Sequence, residues 1–363
     1  MPRRFNITGP CVPGRDFMVD LSGRLRRPVQ AICRGESLCL TQRRQSGKTT
    51  LLRLLARALQ KEGLAPVLCA VQLAEDQSLT GIFRHIEASL RLLYPVPSVP
   101  RWTATEPQSL SFCAWLGEAQ RLLGRPLVLL LDEYDAPPRK LVAGMLRSFR
   151  AALTLADEAR PFVHAVVLCG KTHIRDLRDE PRPPGDESRG SGSLWNVALP
   201  LSVGPFSRRE VDALLDDYAA DSGVDWTPAA RDALYAQTRG QPYLVSRLCY
   251  QIDEQIGTPR KETGTAPLEM PTEALVRHLA AQLPDEDPVH FSSISDLLAA
   301  RKEAQEIVLR LLSGDEVPLC RSNEAQGYLL DAGLLIPSES RRLVELACPI
   351  YAAYLGRWLA ESG

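Results

Sequence analysis

The stretch Ser37-Leu38-Cys39-Leu40-Thr41-Gln42-Arg43-Arg44-Gln45-Ser46-Gly47-Lys48-Thr49-Thr50 constrains the fold of this chain more than any other. An apolar run ends in a polar turn, and the turn opens Leu51-Leu52-Arg53-Leu54-Leu55-Ala56-Arg57-Ala58-Leu59, apolar at helical spacing. A strand, a tight turn and a helix in that order point successive backbone N–H groups, and the positive end of a helix, at one spot. A phosphate chain fits there. Lys48 can reach the β- and γ-phosphates, the Thr49 hydroxyl can bind Mg²⁺, and Arg44, Gln45, Ser46, Gly47 and Thr50 line the same turn. Gln42 stands where the usual P-loop pattern has its first glycine. Lysine is scarce, six residues in 363, so a lysine kept at this turn is pointed.

A second segment carries the complementary chemistry. Arg125-Pro126 leads into Leu127-Val128-Leu129-Leu130-Leu131 and then Asp132-Glu133. An apolar run of this length suits a central parallel strand buried on both faces. Asp132 at its carboxyl end is expected beside Thr49, holding Mg²⁺ through water, with Glu133 polarising an attacking water. The bland alternative is a buried strand followed by a solvated acidic turn, Asp132-Glu133-Tyr134-Asp135. The upstream Gly47-Lys48-Thr49 turn decides for the nucleotide reading.

Further apolar runs at 64–73, 162–170 and 197–203 alternate with helical patterns near 79–93 and 109–123. The expected core is therefore a parallel α/β sheet with right-handed crossovers. Gly14-Arg15-Asp16 is expected to open a short amphipathic helix, and the Pro/Gly/Ser-rich stretch 179–193 a mobile loop. From Pro205 the pattern turns helical. Ser207 and Glu210 form a capping box, a second helix follows from about Thr227, and Arg239-Gly240-Gln241-Pro242 breaks it before a third. The expected divisions are a nucleotide-binding core at 1–204, a helical lid at 205–256, a Gly/Thr/Pro linker at 257–272 and a winged-helix module at 273–363. That last module is read from helices near 301–313 and 322–332, a hairpin at 337–347 and a terminal helix.

No apolar run approaches the ~20 residues that span a bilayer. The start, Met1-Pro2-Arg3-Arg4-Phe5-Asn6, lacks a signal-peptide apolar region. The nine cysteines are scattered without Cys-x-x-Cys spacing, which argues against zinc and against a disulfide framework and for a reduced cytoplasmic protein. The formal net charge of −1 gives no general attraction for nucleic acid. His164 alternates inside an apolar strand and reads as a core histidine.

Taken together, these motifs resemble the STAND/AAA+ group of P-loop NTPases, and within it the bacterial AAA-like ATPases whose P-loop reads Arg-Gln-x-Gly-Lys-Thr/Ser. Those proteins also lack the first P-loop glycine. The resemblance implies an AAA+/STAND-type core, a helical subdomain and a C-terminal winged helix, with ATP and Mg²⁺ as ligands. It places Arg15 of Gly14-Arg15-Asp16 near the nucleotide, with aspartate where the family has glutamate. It places Pro242 near the adenine, and Thr172 of Gly170-Lys171-Thr172-His173 at the polar position that senses the γ-phosphate. Arg150, Arg175 and Arg247 remain alternatives for a phosphate-contacting arginine.

Two functions of different class follow. One is an ATP-driven switch whose nucleotide state controls assembly or a protein partner, as in bacterial defence or signalling, with its effector expected on a separate chain. The other is a DNA-binding AAA+ ATPase using the winged helix. Residues 271–363 hold 8 Lys/Arg against 14 Asp/Glu, a net of −6. Phosphate contacts need clustered cations, so the switch with a protein-facing winged helix is preferred.

Overall fold

The computed structural model describes residues 2–41, 45–74, 76, 78–95, 99–154, 161–171, 198–201, 204–257, 270–320 and 322–362. They form two compact units. One is Leu21–Arg44 with Lys48–Val203; the other is Met1–Asp20 with Gln45–Gly47 and Gly204–Gly363. The expected positions Gln42, Arg44, Thr172 and Arg175, the 179–193 loop and most of the 257–272 linker lie outside the described residues.

The chain opens with two short parallel strands, β1 (Arg4–Phe5) and β2 (Asp16–Phe17). The short helix expected after Gly14-Arg15-Asp16 is not there. Asp16 is extended and wholly buried. Its carboxylate accepts from Val12 N (2.7 Å), the Asn6 amide (3.2 Å) and the Arg15 guanidinium (3.1 Å to Nε). An acid that gathers donors from both ends of the 6–16 segment closes a loop, where a helix start would have used it as an exposed cap.

The α/β unit follows with α1 (Ser22–Cys33), β3 (Ser37–Thr41), α2 (Lys48–Lys61), β4 (Ala65–Ala70), α3 (Leu79–Leu93), α4 (Gln108–Leu123), β5 (Leu127–Asp132), α5 (Arg139–Thr154), β6 (Ala165–Gly170) and β7 (Ala198–Leu201). The five strands β3–β7 are parallel in the order β4-β5-β6-β3-β7. Every residue of β5 and β6 is buried, which is why these segments read as unbroken apolar runs. The helices α3–α5 bury an aromatic cluster beside the sheet, with the Phe83 and Phe112 rings stacked at 4.0 Å and Trp102, Trp115 and Phe149 around them. Each such ring contributes roughly 1.5–3 kcal/mol by burial. His164 Nε2 meets the Ile32 carbonyl oxygen at 2.8 Å, a structural role as expected.

The strand order matters for the site. β6 lies between β3 and β5, and the registers Thr41↔Gly170 and Asp132↔Cys169 bring the carboxyl ends of all three level. In a parallel sheet the loops that leave those ends share one edge, where ligands bind.

The second unit comprises α6 (Arg208–Ser222), α7 (Pro228–Thr238), α8 (Pro242–Ile252), α9 (Glu273–Glu286), α10 (Pro288–Ala299), α11 (Lys302–Leu312), β8 (Val317–Pro318), α12 (Glu324–Asp331), β9 (Leu335–Pro337), β10 (Leu343–Leu346) and α13 (Pro349–Ser362). β8, β10 and β9 make a small antiparallel sheet in that order. Met1–Asp20, assigned to the core by the sequence reading, packs in this unit. Phe5 and Phe17 meet Tyr218 of α6 at centroid distances of 5.1 and 5.2 Å, and Arg3 pairs with Asp217. The capping box of Ser207 and Glu210 is present. Helices α9 and α10 precede the segments that the hydrophobic pattern singled out.

Candidate functional site

The α/β unit assembles its polar residues at the carboxyl edge of the sheet. Lys48 is the first residue of α2, so its backbone N–H lies at the positive end of that helix. Just before it, Gln45 and Gly47 take left-handed backbone conformations, φ +60° and +82°. Such residues in a tight turn aim N–H groups toward one point, an anion-binding device.

The Lys48 side chain is buried, with 8% exposure. Burial pushes its ammonium below the ordinary lysine value, while Cys169, Asp132, Asp135 and Glu133 pull it back upward. A desolvated cation facing acidic groups is suited to a polyanionic ligand, whose charge replaces the lost hydration.

Thr49 and Asp132, 83 residues apart, meet with the Thr49 hydroxyl donating to Asp132 Oδ2 at 2.6 Å. The other oxygen, Oδ1, accepts from Glu133 N at 3.1 Å. The two hard oxygen ligands fit Mg²⁺, which is held by one or two protein oxygens and completes its shell with water and phosphate oxygens. Among the described residues no cluster of three or more His, Cys, Asp or Glu forms a self-sufficient metal site.

Glu133 is partly exposed and has φ +51°, a left-handed conformation rare for a residue with a side chain. Strain of that kind costs on the order of 1–3 kcal/mol and persists where the surroundings fix it. Here Tyr134 N donates to Cys169 O at 3.1 Å and Ala136 N to Glu133 O at 3.0 Å. Asp135, one residue beyond Tyr134, accepts from Lys171 N at 2.8 Å.

Sequence reasoning named Lys48, Thr49, Asp132 and Glu133, and the structure brings these together. Thr50 is the third residue of α2. Thr172 and Arg44 lie outside the described residues. Arg15 lies in the other unit, its guanidinium on Asp16. Burial pushes the Asp16 carboxyl upward, but Arg15, the Val12 N–H and the Asn6 amide outweigh it and hold it below the usual carboxylate range. Pro242, also in that unit, is the first residue of α8.

Three residues escaped the sequence reading as site residues. Asp135 and Cys169 flank the carboxylate turn; Asp135 was visible only as one more acid in a polar turn. His290 has 1% exposure, stacks on Tyr243 at 4.5 Å, and contacts Gln45 through Nδ1 and the Tyr351 hydroxyl through Nε2 at 3.2 Å. Nothing in the pattern around Pro288-Val289-His290 marks it.

The chain is similar to a Walker-type ATPase of Pyrococcus abyssi, with a TM-score of 0.67 at 13% identity over 97% of this chain and 99% of that one. It is also similar to the ORC2 protein of Aeropyrum pernix in its ADPNP–ADP complexes, with a TM-score of 0.50 at 14% identity over 98% and 96% of the two chains. No family model matches the chain, and no curated protein matches it. At such identities the likeness carries the fold alone. The chain shares the fold of these two proteins, built on the parallel five-stranded α/β sheet described above.

Proposed function

We propose that this protein binds ATP with Mg²⁺, hydrolyses it, and uses the nucleotide state as a switch that controls self-assembly or a protein partner. The observation that carries the reading is the 2.6 Å contact of Thr49 with Asp132 beside the buried Lys48, at the start of a helix. Lys48 binds the β/γ-phosphates, Thr49 and Asp132 hold the metal, and Glu133 orients water and takes up its proton. When bound, Mg²⁺ supplies neutralising charge to the phosphate oxygens. Arg44, Gln45, Ser46, Gly47 and Thr50 belong to the proposed phosphate-binding turn, with Thr172 as γ-phosphate sensor; Arg15 and Pro242 are assigned to the nucleotide by the family resemblance alone.

In this reading 205–256 is a helical lid and 257–272 a tether. Residues 273–363 are a winged-helix module of the STAND kind, supported by α10–α12 and the antiparallel β8-β10-β9 sheet. The resemblance to bacterial AAA-like ATPases supports a place in defence or signalling. The net −6 of residues 271–363 favours a protein-facing module over a DNA reader.

Glu133→Gln tests the chemistry. It is expected to leave ATP affinity near wild type and to slow hydrolysis about 100-fold or more, the usual worth of a general base. A wild-type rate of phosphate release from this variant reduces Glu133 to a turn residue. With ATP, the same variant is expected to be the most compact or most oligomeric form of the protein. A ligand shifts such an equilibrium only by its differential affinity for the two states. Identical masses and scattering profiles for the apo, ADP and ATP forms would sink the switch and leave a constitutive ATPase.

A further inference from the structure

The turn that carries Glu133 is tied to the neighbouring strand on both sides of one residue, Gly170. Ahead of Gly170, the Cys169 carbonyl accepts from Tyr134 N at 3.1 Å. Behind it, Lys171 N donates to Asp135 Oδ2 at 2.8 Å. Gly170 is there for room: a Cβ built on it falls 2.5 Å from Asp135 Oδ1 and 2.7 Å from Tyr134 Cε1. No real Cβ approaches oxygen or ring carbon so closely, so any side chain at 170 drives the carboxylate away. Meanwhile Glu133, two residues before Asp135, holds its left-handed conformation with a half-exposed side chain. Its own carboxylate needs its direction set by the turn.

We propose that Asp135 is a positioning residue of this site: it staples the carboxylate turn after β5 to the chain leaving β6, and so fixes where Glu133 points and where the segment after Gly170 begins. The inference rests on the ATPase reading of the site. It adds a part that acts through the turn carrying Glu133 and through its bond to Lys171. The bond needs an acceptor at Asp135 and no negative charge, so an asparagine, whose side-chain oxygen also accepts, preserves it.

The test uses the full chain and three variants. Asp135→Ala is expected to slow single-turnover hydrolysis at saturating ATP by about 10- to 100-fold, the effect of misplacing a reacting group by roughly an ångström. Its ATP affinity should stay within about 3-fold of wild type, because the phosphate-binding groups are untouched. Gly170→Ala is expected to reproduce the loss with the carboxylate still present, by displacing it. Asp135→Asn is expected to stay within about 5-fold of the wild-type rate. Hydrogen exchange at the Lys171 amide gives a readout independent of turnover: faster in Asp135→Ala and Gly170→Ala, protected in Asp135→Asn. An Asn variant as slow as the Ala variant overturns the proposal, since the charge beside Lys48 would then be what matters. Parallel loss of affinity and rate in Asp135→Ala also overturns it, as does unchanged exchange at Lys171. If the wild-type protein itself hydrolyses no ATP, the ATPase reading fails and the exchange arm decides the staple alone.

Discussion

Lys48→Ala is expected to abolish ATP binding while leaving secondary structure intact, measured by calorimetry and circular dichroism. The loss should exceed about 100-fold, because two or more charge-assisted bonds to phosphate vanish, each worth roughly 1.5–3 kcal/mol. The other five lysines of the chain lie elsewhere in the sequence, so none stands in at the start of α2. Retained affinity would remove the P-loop assignment. Lys48→Met adds a second arm in the absence of nucleotide. The folded-state pKa of Lys48 is depressed chiefly by burial, so charged Lys48 costs the apo protein stability at neutral pH. Between the depressed folded value and the unfolded value of about 10.4, the unfolded chain binds more protons and the wild type regains stability as pH rises. The Met variant should therefore be the more stable apo protein at pH 7, with its advantage narrowing at alkaline pH. A variant less stable than wild type at pH 7 would mean that Lys48 is compensated by its neighbours.

Gly240→Ala is expected to be the most damaging small substitution in the C-terminal unit. Gly240 sits at φ +74°, and a Cβ there falls 1.9 Å from the backbone oxygen of Phe206. That oxygen belongs to a segment tied to the same glycine: Phe206 N donates to Gly240 O at 2.7 Å. The turn is locked further by Thr238, wholly buried, whose hydroxyl bonds Leu234 O at 2.7 Å and accepts from Gly240 N at 3.2 Å. Relief requires the α7–α8 turn to part from Phe206. We expect a loss above about 3 kcal/mol, the range of overpacking combined with backbone strain. Gly314→Ala is the control: φ is +87° but nothing lies within 4 Å of the added atom. It should cost about 1–2 kcal/mol, from the left-handed conformation alone. Chemical denaturation with a probe in the C-terminal unit measures both, and equal losses would show that the Phe206 contact yields.

The site residues Lys48, Thr49, Asp132 and Glu133 were legible because each sits at a junction that local chemistry announces. An apolar run of four or more residues says buried strand, and a Gly-Lys-Thr or an acid pair at its carboxyl end stands out against it. The parallel sheet and most helix positions followed from the same periodicity, since alternating or helical spacing reports which face a segment buries. What stayed hidden depends on partners far along the chain. Asp16 looked like a helix opener until the fold brought Asn6 and Arg15 around it, and β1 and β2 became strands by pairing with each other. Asp135 looked like one more solvated acid until Lys171, 36 residues on, was placed beside it. Gln45 and His290 are 245 residues apart, and no pattern near either reports the other. The sequence by itself determined the strands of the parallel sheet, the Gly-Lys-Thr turn and the acid pair, because burial and backbone geometry act over a few residues. The tertiary structure decided where the first twenty residues pack and why Gly170 and Gly240 must lack a side chain, because close approach between distant segments exists only once the chain has folded.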